Sequence, residues 1–143
     1  MKEQETQKIT TTKRAPTSRE KRMLGLAAKQ ASTSNFPVFR HGAVLAKGSK
    51  VLSLGVNKNQ FNSFAAKFKK KPEHATVHAE LGCILGVDRR STSGATIYVV
   101  RISPQGEWRM SKPCCMCQAA MRYVGIRRVI YSVDKKFIGE MKL

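Results

Sequence analysis

The chain has 143 residues, the length of one domain, and 41% of them are apolar, enough for a packed core and too many for a disordered basic tail. Lysine and arginine outnumber aspartate and glutamate 27 to 9, and the resulting formal charge of +18 favours a polyanionic partner, nucleic acid first. No window approaches the roughly 18 apolar residues of a membrane span, and the N-terminal stretch has no apolar secretory core, so membrane and secreted readings are set aside and the cytoplasm is the expected compartment.

Residues 1–16 are polar, rich in Thr, Lys and Gln, and read as a flexible basic arm ending at Pro16. A single domain is expected over 17–143. Thr17 or Ser18 can cap a helix running to about Ser34, because Met23, Leu24, Ala27, Ala28 and Ala31 recur at helical spacing. Asn35 and Pro37 stop it. Residues 41–47 and 50–56 are branched apolar runs joined through Gly48, the pattern of a hairpin. A long basic loop, with or without a short helix, follows over 57–74 and carries Lys67, Lys69, Lys70 and Lys71. The pattern over 79–87 fits a short helix ending near Asp88, Arg89 and Arg90. Residues 95–102 (ATIYVVRI) read as an interior strand, and 103–112 as a connection carrying Trp108 and Arg109. A helix over 115–124 is closed by Gly125, a strand follows over 127–132, and 133–143 leaves room for one short element. Alternating helices and strands in the second half predict an α/β layer with parallel neighbours.

Two segments carry chemistry: His78-Ala79-Glu80 and Pro113-Cys114-Cys115-Met116-Cys117. Together they match the H-x-E…P-C-x-x-C pattern of zinc base deaminases. Cys114 and Cys117 are three apart at a predicted helix start, so their thiols share a side. His78 begins another helix, and two converging helix N-termini favour the thiolate form that binds metal. One His and two Cys make three ligands where zinc takes four, and a water in the open position has its pKa lowered from 15.7 to about 7. Glu80, two residues past His78, is placed to relay that water's proton to the ring nitrogen and the leaving amine. The gap from His78 to Cys114 has room for a helix, a strand and their connections.

From roughly Phe36 to Val133 the chain resembles the zinc-dependent cytidine/deoxycytidylate deaminase superfamily, through HGAVLAKGSKVLSLGVN, VHAELGCI and SKPCCMCQAAMRYVGIRRVIYS. The resemblance implies a three-layer fold, a mixed sheet of four to five strands flanked by helices, with zinc between two helix N-termini. It implies His78, Cys114 and Cys117 as ligands, Glu80 as proton shuttle, the Ala79 backbone as a contact to the base, and Asn57 as a contact to the sugar or base. Two features depart from the family. Leu81-Gly82-Cys83 differs from the residues common after HAE in the free-nucleotide enzymes. The tail is too short for the usual further helix and strand, so the sheet is expected to end one strand early, leaving an edge for a second copy of the chain or the basic arm.

Plainer readings stand beside these. The metal could be structural, with Cys115, Cys83, His74 or His41 as fourth ligand, although such a site has no use for Glu80. Asn57 could be a turn residue; Trp108 could stack on a base or cover a sheet edge. Lys67, Lys69, Lys70, Lys71, Arg89, Arg90 and Arg109 could be solvated faces, but too few acids exist to neutralise them, and they are taken as candidate phosphate contacts. The expected function is zinc-dependent hydrolytic deamination, cytosine to uracil, of a base in single-stranded DNA or RNA. A free-nucleotide dCMP or cytidine deaminase, a tRNA adenosine deaminase (PCCMCQAA resembles those enzymes) and a non-catalytic nucleic-acid-binding module with structural zinc are the alternatives. A homo-oligomer is compatible with all of them.

Overall fold

A computed structural model describes residues 10–61, 63, 67 and 76–143. Its main sheet is built around two strands buried on both faces. β2 (Arg40–Lys47) and β6 (Thr96–Ile102) pair antiparallel, with Ala43 opposite Val99 and Leu45 opposite Ile97. β3 (Lys50–Val56) folds back on β2 through Gly48, whose φ of 59° is a conformation glycine adopts without strain. β8 (Arg128–Ser132) runs parallel to β6, as the alternation of elements predicts.

Helices cover both faces. α1 (Ser18–Ala31) is started by a capping box in which Thr17 and Glu20 satisfy each other's backbone amides, and it lays Met23, Leu24, Ala27 and Ala31 on Val44, Tyr98, Val100 and Ile130. It ends three residues before Ser34, at a Ser32 cap. α2 (Ala79–Ile84) and α4 (Cys115–Tyr123) occupy the other face, packing Leu81, Cys83, Ala120 and Met121 on Ala43, Leu45, Ile97, Val99 and Val129. This is the expected three-layer arrangement. α2 stops sooner than its periodicity predicts, because Leu85 turns extended and Gly86 takes a φ of 78°; α3 (Arg89–Thr92) is a separate turn capped by Asp88.

The sheet is wider than four to five strands. Its order is β1-β9-β8-β6-β2-β3, with β7 (Trp108–Arg109) added to the end of β6. The tail supplies β9 (Ile138–Lys142) by an antiparallel return from β8, which needs only a tight turn, where a parallel strand would need the helix this tail lacks. The expectation that the sheet ends a strand early is therefore corrected. So is the flexible arm over 1–16 in its second part: Thr10–Arg14 forms β1, paired in register with β9. The guanidinium of Arg14 explains the order, because it holds the buried Glu20 of α1 at 2.7 Å and Glu140 of β9 at 2.8 Å. Within the long basic loop, β4 (Lys58–Phe61) pairs β5 (Thr76–Val77) as a separate ribbon.

Candidate active site

The site lies where helices leave the carboxyl end of the sheet, the usual crevice of an α/β layer. His78 is the N-cap of α2 and Cys114 the N-cap of α4, both with extended backbone and neither spending its side chain on capping its own helix. Both side chains are thereby released toward the space between the two helix N-termini. His78 Nδ1 lies 3.2 Å from Cys117 Sγ and 3.7 Å from Cys114 Sγ, and the three ligand atoms all lie within 4.8 Å of one another.

Two contacts hold this geometry. On the α2 side, a β-carbon at Gly55 of β3 would overlap the Ala79 carbonyl and approach the Cys83 amide to 2.7 Å, so a bare glycine lets α2 settle on the strand. On the α4 side, Ser111 and Ser132 are buried and joined: Ser132 donates its amide to Ser111 Oγ (2.9 Å) and its hydroxyl to the Arg109 carbonyl (2.7 Å), while Ser111 donates its amide to the Ser132 carbonyl (2.9 Å). These bonds fasten the segment just before Pro113 and Cys114 to the end of β8.

The donor set fits zinc, which takes nitrogen and sulfur ligands and needs thiolates. The Cys117 thiol and the His78 ring hold the Cys114 thiolate down to about 3 against the cost of burial, and that thiolate together with burial pushes Cys117 up. Cys83, Cys115 and His41 are not members of the cluster, and among the described residues no fourth protein ligand joins the three. His74 lies outside the described residues. Glu80 is buried within the first turn of α2, and burial pushes its carboxyl above the ordinary range, which favours the protonated form more than for a carboxyl in water.

A cavity of about 350 Å³ opens onto this cluster, lined by His78, Ala79, Glu80 and Cys114 and by Asn57, His41, Phe36, Phe39 and Lys112. Asn57 is buried; its Oδ1 accepts the His41 amide (2.9 Å) and its Nδ2 donates to the Phe39 carbonyl (2.7 Å), so it ties the end of β3 to the segment bearing Phe39 and His41. The Arg101 guanidinium lies 4.6 Å from the Phe39 ring centroid, and its Nε is buried without a hydrogen-bond partner. Burial, aided by the charges of Arg101 and His78, pulls His41 down to about 4, so its imidazole is neutral at pH 7.

Sequence reasoning missed Phe36, Phe39, Arg101 and Lys112. The first two were legible as aromatics in the proline-containing break between α1 and β2, where no helical or strand period demanded them, and Lys112 as the cation beside the cysteine motif. Several expected residues are not brought to the cavity. Trp108 faces the α1 side of the sheet and packs with its core, because alternation along β7 sends neighbouring side chains to opposite faces. Arg109 is exposed and paired with Glu107 at 2.7 Å. Arg89 lies over Tyr123, at the opposite end of α4 from Cys114, and Arg90 beside it accepts Lys47 Nζ on its carbonyl. Lys67 is exposed, and Lys69, Lys70 and Lys71 lie outside the described residues.

The family model for the cytidine and deoxycytidylate deaminase zinc-binding region matches residues 17–133. The chain belongs to this deaminase family. The match takes in α1, both ligand helices and β8, so the fold and the zinc are those of the family. Solved deaminases share the architecture. A dCMP deaminase from the cyanophage S-TIM5 is 18% identical with a TM-score of 0.58, the alignment covering 81% of this chain and 83% of that one. A cytidine deaminase from Mycobacterium tuberculosis is 15% identical with a TM-score of 0.51, over 81% of this chain and 88% of that one. No curated protein matches the sequence. Among the described residues of the deaminase no helix is long and apolar enough to cross a membrane.

Proposed function

We propose that this deaminase hydrolyses the exocyclic amine of a cytosine held in single-stranded nucleic acid. The observation that carries the reading is the lining of the cavity: Phe36 and Phe39 offer aromatic surface, Lys112 offers a cation while Arg101 lies behind the Phe39 ring, and Glu80 is the one carboxyl among the described lining residues. Such a lining suits an extruded base trailing phosphates, and the +18 charge of the whole chain supports a polyanion over a small molecule.

His78, Cys114 and Cys117 would hold the zinc, which supplies Lewis acidity and a water of lowered pKa. Glu80, buried beside them, would carry one proton from the attacking water to the ring nitrogen and a second, from the hydroxyl of the resulting adduct, to the amine, which leaves as ammonia. The Ala79 amide and Asn57 border the base, and neutral His41 excludes water from its edge without adding charge. Closely set walls of β2, β3 and α2 keep the ring oriented.

Free deoxycytidylate is the second reading, favoured by the family match and by the resemblance to the cyanophage dCMP deaminase. Parallel incubation of the zinc-loaded protein with dCMP, single-stranded DNA and tRNA, with ammonia and base identity measured, decides between them. Conversion of cytosine to uracil in DNA or tRNA, falling steeply as salt rises, supports the polynucleotide reading; turnover of dCMP alone, indifferent to salt, overturns it.

A further inference from the structure

Trp108 is the single tryptophan of the chain, and its position at the edge of the α1 face leaves a groove of about 430 Å³ beside it. Pro16, the fully buried Leu24 and the indole make an apolar floor, and Lys21, Lys135 and Lys136 stand around it. Among the described residues none of these lysines has a carboxylate partner. Of the two acids nearby, Glu107 pairs with Arg109, and Asp134 accepts the amides of Lys136 and Phe137 at 2.8 and 2.9 Å while its charge offsets part of that of Lys13 and Lys136, which leaves the rim cationic in sum. Lys13 lies 5.0 Å from the ring centroid of the half-exposed Phe137, extending the same mixture of cations and aromatic faces.

The groove adjoins the catalytic side. Its Trp108 and Lys135 also line a second cleft with Arg109, the next residue of β7. Arg109 is the strand partner of Arg101, and Arg101 is the partner of His41 at the cavity. β7 thus carries Arg109 on one face and the tryptophan on the other.

We infer that this groove binds single-stranded nucleic acid, one base stacked on Trp108 and its neighbouring phosphates held by Lys21, Lys135 and Lys136. An apolar slot alone would not specify an occupant, but unpaired cations ringing an indole match the alternation of π-face and phosphate in an unpaired strand. A duplex offers no free base face there. The inference gives the polynucleotide reading a second point of contact and takes its purpose from that reading.

The test uses the fluorescence of Trp108 in the zinc-loaded full chain, titrated with a short thymidine oligonucleotide, with an abasic oligonucleotide of equal length and with inorganic polyphosphate. The thymidine strand should quench the indole saturably, and the two base-free polyanions should leave it bright. Replacing Lys21, Lys135 and Lys136 together by Ala, exposed positions that leave the fold intact, should weaken binding about tenfold and flatten the slope of log affinity against log salt by about 2. Trp108→Ala should cost about 5- to 100-fold in affinity, with Trp108→Phe recovering part of it. Equal quenching by polyphosphate, a bright indole in the bound thymidine complex, or a triple variant binding like wild type would overturn the inference. Ammonia assays separate it from the catalytic reading: quenching with turnover of dCMP alone keeps the groove and removes the polynucleotide substrate, whereas deaminated oligonucleotide with a bright indole does the reverse.

Discussion

Gly82 of α2 faces Gly55 of β3 so closely that a β-carbon at Gly82 would lie 3.3 Å from the Gly55 Cα. The paired glycines let the helix bearing His78 and Glu80 rest on the strand, and they separate two substitutions that look alike. Gly55→Ala forces its methyl into the Ala79 carbonyl and should cost about 3 kcal/mol, with zinc content falling as His78 is displaced. Gly82→Ala gains helix propensity and meets only a tight contact, so its stability should stay within about 1 kcal/mol of wild type. Thermal unfolding and zinc stoichiometry of the two variants check this.

Glu80 is buried against the ligand cluster without being a member of it. Glu80→Gln keeps the shape and should retain zinc while ammonia release falls by about 100-fold to 10,000-fold. Metal analysis beside a turnover assay checks both halves, and retained turnover would remove Glu80 from the mechanism.

The three cysteines of the 114–117 motif should divide sharply. Cys114→Ser and Cys117→Ser break the three-atom cluster and should lose zinc and activity together, while Cys115→Ser, at an exposed position outside the cluster, should lose neither. Chelation of the wild type should lower its melting temperature, since the ion binds only the folded site, and added zinc should restore it. Calorimetry with and without chelator reads this directly.

Acid should loosen the N-terminal strand. Hydrogen bonds from Arg14 hold the Glu20 carboxyl below its ordinary range; burial pushes Glu140 up, but Arg14 and Arg128 outweigh it and hold it down. Both carboxyls are lowered in the fold, so their stabilisation is complete above about pH 4.5 and is lost as pH falls through their depressed values. Arg14→Ala leaves the buried Glu20 without its partner and Glu140 with Arg128 alone, and should cost about 2 kcal/mol at pH 7, less than the roughly 3–5 kcal/mol of a fully buried pair because the guanidinium is one-third exposed. The penalty should shrink toward pH 3, as denaturant titrations at the two pH values will show.

The metal cluster was legible because its ligands sit at two helix starts, where spacing of one to three residues decides which side chains converge. His78, Glu80, Cys114 and Cys117 need no distant information to be recognised. The parallel pairing of β6 with β8 was legible for a similar reason, since a strand, a helix and a strand in sequence admit few arrangements. Asn57 lines the cavity, but its hydrogen bonds to the Phe39 and His41 backbone were invisible in the sequence.

The chain alone thus determined the family, the zinc donors and the layered core, all consequences of local periodicity and short-range spacing. Only the tertiary structure decided what lies at long range: that Thr10–Arg14 closes the sheet against β9, that Phe39 and Arg101 meet at the cavity, and that Trp108 turns to the opposite face. Those outcomes depend on which strands become neighbours and in what register. A shift of one residue in register reverses every side chain, and no local pattern carries that information.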